Sequence, residues 1–195
     1  MKQMNVFPEC YVDTNLVGHI LGCKVKHKST CNEVAKAVNN ADCFAIGIID
    51  ADKRLATMDD GFYVLTRSSE ADGTNKHITM YAHKDGKRFM FTIKPAMDKF
   101  ILDAATSQNV DLEKLGYPSS LEGFKKQTKR IQAAEDSKLR QLFDMIGDYL
   151  ELQQFRNTLK YLVKKQYAID VDVARQFFDG MMSKDDLVAI LQSNN

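Results

Sequence analysis

The sequence predicts an α/β protein, with a mainly parallel sheet flanked by helices and a helical C-terminal half. Three observations predict it. Over the first hundred residues, strand-like and helix-like segments alternate, which is the order a parallel sheet needs. Cys43–Asp50 (CFAIGIID) is apolar on both faces, as a central parallel strand is. From about Val110 onward, apolar residues recur at three- and four-residue spacing, the period of amphipathic helices. The 195 residues suffice for one domain with an appendage, read as an α/β part over 1–108 and a helical region over 109–195.

The elements follow in order. Asn5–Cys10 is a short apolar run interrupted by Pro8. Asp13–Leu21 places Leu16, Val17, Ile20 and Leu21 at helix spacing, with Asp13 as N-cap and Gly22 as the stop. Lys24–Lys28 reads as a short strand. Ser29 or Thr30 caps a helix through Asn39 whose apolar face is Val34, Ala35, Ala37 and Val38. After the Cys43–Asp50 strand, three more are expected: Phe62–Arg67, His77–His83 and Arg88–Ile93. Turn sequences Ala71-Asp72-Gly73 and Lys84-Asp85-Gly86-Lys87 separate them. Lys94–Ala105 returns to helix with Pro95 in its first turn. Helices are then expected at Leu121–Arg130, Ser137–Leu152, Gln154–Tyr167, Asp172–Phe178 and Ser183–Gln192. Ser183 and Asp186 form a capping-box-like start for the last.

Composition narrows the function classes. Hydrophobic residues are 44% and charged residues 27%, which excludes a wholly disordered or collagen-like chain. The formal net charge is +1, so any attraction to a polyanion must come from a local patch. No apolar run of about 18 residues is present, which argues against a transmembrane helix and membrane association. The opening MKQMNVFPECYVDTN lacks the charged-then-apolar pattern of a signal peptide, and a cytoplasmic location is expected. Cys10, Cys23, Cys31 and Cys43 have no metal-site spacing and read as buried free thiols. His19, His27, His77 and His83 show no ligand spacing either.

The acids carry the chemistry. Asp50 and Asp52 form a D-x-D at the carboxyl end of the most apolar strand, where open α/β sheets bind ligands. Two converging carboxylates repel unless a cation sits between them, and hard oxygens suit Mg2+ or Mn2+. The plainer alternative is a turn-capping Asp50 and a solvated Asp52, neutralised by Lys53 and Arg54. Glu9 ends the first strand-like run. If the two strands are parallel neighbours, about 5 Å apart, Glu9 and Asp50 meet at one edge.

This pattern resembles the TOPRIM domain of topoisomerases, primases and OLD-family (overcoming lysogenization defect) nucleases. There a Glu ends the first strand, a D-x-D ends a later one, and together they hold divalent metal for phosphoryl chemistry. Glu9–Leu16 (ECYVDTNL) is similar to the OLD-type E-G-x-x-D-x-x-x-L motif, with Asp13 as the second acid. Phe44–Asp52 (FAIGIIDAD) resembles the D-x-D strand. Lys94–Leu102 (KPAMDKFIL) is similar to the acid-bearing helix that follows, which adds Asp98. The resemblance covers roughly residues 4–105. It implies Glu9, Asp13, Asp50, Asp52 and Asp98 as metal ligands, with Glu9, Asp50, Asp52 and Lys53 catalytic. The sequence departs from the family at Cys10 (usually Gly), Pro8, Lys53-Arg54 after the D-x-D, and Asp98 (usually Glu). Its E-C-Y-V-D-T-N and G-I-I-D-x-D-K-R segments are also similar to those of small uncharacterised Bacteroidetes proteins. Tyr11–Val17 (YVDTNLV) resembles the opening of PIN-domain ribonucleases as well, but the next acid-ending strand, by residue 50, arrives too early for that fold.

Lys125, Lys126, Lys129 and Arg130 form a basic helix face that would track a phosphate backbone, joined by Lys138 and Arg140; a solvated face is the plainer reading. No phosphate-binding glycine loop is present. Two function classes follow. One is a Mg2+- or Mn2+-dependent nuclease or related phosphoryl-transfer protein acting on DNA or RNA, in phage defence or mobile-element biology by resemblance. The other is a catalytically inactive TOPRIM-like module that binds nucleic acid or a protein partner.

Overall fold

Strand β1 (Val6–Pro8) pairs in parallel with β2 (Ala45–Asp50), Val6 opposite Ile46 and Pro8 opposite Ile48. The computed structural model describes residues 4–51, 57–69 and 75–192. Pro8 is tolerated because β1 is an edge strand. Asn5 and Glu9 bond toward β2, through Ile46 N–H to Asn5 O (2.9 Å) and Glu9 N–H to Ile48 O (3.0 Å). The backbone of Val6 and Pro8 therefore points outward, where a missing N–H costs least. The expected strand at Lys24–Lys28 is an extended segment along that outer edge. Lys26 and Lys28 donate to Val6 O and Pro8 O (2.9 Å each), but Pro8 cannot donate in return, and no ladder forms.

The remaining strands are β3 (Phe62–Ser69), β4 (Asn75–His83) and β5 (Arg88–Ile93). The sheet order is β1-β2-β5-β4-β3. β5 is parallel to β2, while β4 and β3 add antiparallel. The sheet is thus mixed, with a parallel centre, rather than mainly parallel throughout. Hairpin turns explain the difference: Gly86, at φ 68°, closes the β4–β5 turn, and a turn that short can join only antiparallel strands. The Ala71-Asp72-Gly73 turn lies outside the described residues.

Helices cover both faces. α1 (Tyr11–Leu21) and α3 (Met97–Ser107) pack on the face carrying Ile46, Ile48, Phe89 and Phe91. α2 (Cys31–Asn39), capped by Thr30, lays Val34 and Val38 on the other, against Ala45, Ile49 and Met90. Gly47 permits that approach: a Cβ there would meet Met90 Sδ at 2.3 Å and Val34 Cγ1 at 2.8 Å.

The C-terminal region supplies α4 (Leu121–Thr128), α5 (Ser137–Met145), α6 (Leu150–Lys165), α7 (Val171–Phe178) and α8 (Lys184–Gln192). The helix expected over Ser137–Leu152 is broken. The buried register runs through Leu142, Phe143 and Ile146, then skips to Leu152 and Phe155, with Leu150 exposed between. Residues 154–165 of the next expected helix belong to α6, which starts four residues earlier. Pro95 lies ahead of α3, not in its first turn. The hydrophobic core does not stop at residue 108: Ile20, Phe91 and Phe100 share one cluster with Phe143, Phe155 and Phe177. Among the described residues, no helix is long and apolar enough to cross a membrane.

Gly47→Ala should lower the urea midpoint at unchanged m-value, by an overpacking cost of about 1–3 kcal/mol. An unchanged midpoint would mean that α2 does not bear on β2 this closely.

Candidate functional site

The ends of β1 and β2 bring Glu9 and Asp50 together. Asp50 N–H donates to Glu9 Oε2 at 3.1 Å. Asp50 shares the face of Ile46 and Ile48, so its carboxylate turns toward α1 and α3. There Met97 N–H, in the first turn of α3, donates to Asp50 Oδ1 at 2.9 Å. A carboxylate at a helix N-terminus is favoured by the free N–H groups and the helix dipole.

Asp13 does not cap α1 as expected. The helix starts two residues earlier, after Cys10, and Asp13 sits one turn in, reaching back to accept from Cys10 N–H at 3.3 Å. This buries it completely, and Oδ1 has no hydrogen-bond partner among the described residues. Burial, then the charge of Asp50, pushes the Asp13 carboxyl well above the usual aspartate range; Asp98 and Glu9 add to this, while the Cys10 N–H opposes it. Asp98, at the start of α3, is buried and accepts from Thr128 Oγ1 of α4. Burial raises its pKa despite Thr128 and the charges of Lys125 and Lys129.

Cys10 stands among all four acids. Its Sγ lies 3.8 Å from Asp50 Oδ2 as a weak donor. Burial first, and then Asp13, Asp50, Glu9 and Asp98, drive its pKa far up, so it stays a protonated thiol rather than a nucleophile. All four cysteines are free, and half-buried rather than buried.

The cluster therefore joins Glu9, Asp13, Asp50 and Asp98; Asp52 and Lys53 lie outside the described residues. Hard carboxylate oxygens and the unpartnered Asp13 Oδ1 match the donor chemistry of Mg2+ or Mn2+. Among the described residues, however, no three His, Cys, Asp or Glu groups form a ready metal cage. The basic face stands next to the acids, since Lys125 and Lys129 act on Asp98. Lys125, Lys126 and Lys129 line a shallow surface hollow of about 480 Å³ on α4. Arg130 is not on that helix, which ends at Thr128; its backbone is extended. Arg140 turns away from this face and donates to Asn15 Oδ1 of α1 at 3.1 Å.

A second polar cluster escaped the sequence reading. Glu151 of α6 is buried and accepts from His77 N–H (2.9 Å), Ile78 N–H (3.0 Å) and Ser68 Oγ. His77 bridges Glu151 Oε2 and Asp103 Oδ2, each at 2.9 Å. Burial alone would lower the His77 pKa, but the two carboxylates outweigh it and hold it above the usual value. The β3–β4 register jumps between Arg67 and Ser69, and Glu151 satisfies the β4 donors left off the ladder there. The available signal was an acid four residues before Phe155 on an apolar helix face. This cluster staples α6 to the sheet.

No protein-family model, curated protein or solved structure matches this chain.

The Asp13 arrangement has a pH signature. Below the ordinary aspartate pKa, both folded and unfolded chains hold the proton. As pH rises above it, the unfolded chain ionises first and stability is lost until the raised folded pKa is passed. Asp13→Asn should therefore gain stability over the parent by about 1.4 kcal/mol per pH unit across that interval. Denaturant midpoints of both proteins at acid and neutral pH check this; a pH-independent difference would contradict it.

Proposed function

We propose that this protein is a divalent-metal-dependent phosphoryl-transfer protein acting on nucleic acid, specifically a nuclease with a TOPRIM-like acid set. The observation that supports this most is the adjacency of Glu9 and Asp50 at parallel strand ends, backed by Asp13 and Asp98 and flanked by the lysines of α4. In this reading Glu9, Asp50 and Asp52 hold Mg2+ or Mn2+, whose chemistry when bound is to activate water and offset charge on the leaving oxygen. Asp13 and Asp98 reinforce the negative field behind those ligands. Met97 N–H fixes the orientation of Asp50. Lys53 follows the D-x-D and would stabilise charge developing on the phosphate. Lys125, Lys126 and Lys129 would seat the backbone of DNA or RNA. A place in phage defence or mobile-element biology rests on the resemblance alone.

One observation favours the second reading, a module that binds without cutting. The Cys10 thiol contacts Asp50 where the family carries Gly. A side chain there crowds the approach of a phosphate to the backbone.

Two measurements separate the readings. Saturating Mg2+ or Mn2+, at about 100 times Kd, should stabilise the protein by about 2.7 kcal/mol, and Asp50→Asn should abolish that response. With Mn2+ the protein should nick plasmid DNA or degrade single-stranded DNA or structured RNA, and Asp52→Ala should lose the activity. No metal response and no cleavage, with salt-sensitive binding lost in a Lys125→Gln/Lys129→Gln variant, would replace the nuclease by the binding module. Absence of binding as well would leave a protein partner.

A further inference from the structure

Helix α6 buries Leu152, Phe155, Leu159 and Leu162. Arg156 and Lys160, one turn apart, fall on its flank, where like charges repel. Lys184 begins α8, which packs alongside through Leu187. The three cations border a cleft of about 610 Å³ between α6, α8 and the end of α1, whose apolar wall includes Ile20 and Leu187.

Among the described residues, none of these cations forms an ion pair with a carboxylate. Partial burial, then the charges of Arg156 and Lys184, hold the Lys160 ammonium below the usual lysine range. The two acids of the cleft pair with other lining residues rather than with the cations: Asp144 with His19 Nε2 at 2.8 Å, Asp148 with the Gln153 amide at 3.5 Å. Among the described residues, Arg156 reaches only Gly147 O, at 3.5 Å. Asn157 lines the same cleft and offers its side-chain amide there.

We propose that this cleft binds a small organic phosphate, its phosphate held by Arg156, Lys160 and Lys184. Asn157 donates a further hydrogen bond, and the apolar part of the ligand lies against Ile20 and Leu187. Three cations match a doubly charged phosphate better than a single carboxylate. The volume lies within the range of small-molecule sites. The cleft shares no residue with the acid cluster, so the inference stands apart from the nuclease reading.

The test uses the full chain with adenosine 5′-monophosphate, inorganic phosphate and adenosine, followed by calorimetric titration and thermal melting. The nucleotide should bind at one site and raise Tm, inorganic phosphate should bind more weakly, and adenosine should not bind. Lys160→Gln and Arg156→Gln should each weaken nucleotide binding about tenfold or more, the loss of a charge-assisted contact. Neither should lower the Tm of the ligand-free protein, because each relieves repulsion. Asp50→Asn should bind the nucleotide as the parent does, which keeps this result separate from the metal site. Absence of nucleotide binding, or equal binding by a Lys160→Gln/Lys184→Gln variant, would overturn the proposal. Binding of single-stranded DNA but not of the mononucleotide, lost with Lys160→Gln, would overturn it in favour of a nucleic-acid groove.

Discussion

The parallel pairing of β1 with β2 decides where every acid of interest lies. With Pro8 opposite Ile48, the chain leaves both strands at one end of the sheet, and Glu9 and Asp50 emerge side by side. A one-residue slip would turn Asp50 to the α2 face and away from α1 and α3. The register is held by burial on both faces of β2, by Gly47 beneath α2, and by the Asp50 N–H to Glu9 contact. α1 follows β1 after two residues, which carries Asp13 to the same place, and α3 follows β5, which carries Asp98.

That concentration of negative charge works against stability. Two of the four acids, Asp13 and Asp98, are buried, and both are pushed toward the protonated form. The fold offsets part of the cost with positive ends and charges: the first N–H of α3 on Asp50, the Cys10 N–H on Asp13, and Lys125 and Lys129 near Asp98. Asp13 Oδ1 receives no hydrogen bond among the described residues. By contrast Glu151, also buried, is fully engaged by His77, Ile78 and Ser68, and its pKa is lowered although burial alone would raise it. One buried acid is a staple; the other carries a cost that its described neighbours relieve only in part. That contrast separates a structural carboxylate from a candidate functional one.

Much of this was legible in the sequence. The apolar run at Cys43–Asp50, the stop at Gly22 and the cap at Thr30 act locally, so spacing and residue type sufficed. The meeting of Glu9 with Asp50 was legible because parallel neighbours end together. Less legible were features set by tertiary partners. Asp13 looks like an N-cap until the chain direction after Pro8 makes Cys10 the cap. The break near Gly147 depends on which turn of helix faces the core. Thr128 on Asp98, and Glu151 on His77, join residues 30 and 74 positions apart, and no local pattern announces such pairs. Asp52 and Lys53 stand outside the described residues, so their part rests on sequence alone.

Glu9, Asp13, Asp50 and Asp98 act on one another as one electrostatic site, and under the proposed function a divalent cation would relieve it. Carboxyl-carbon NMR titration of the Asp13 side chain, with and without Mg2+, tests it most directly. Without the metal, Asp13 should titrate well above the ordinary aspartate range; with Mg2+ bound, its pKa should fall as the added positive charge favours the ionised form. An Asp13 carboxyl that titrates like a solvated aspartate, or one indifferent to Mg2+, would contradict the account.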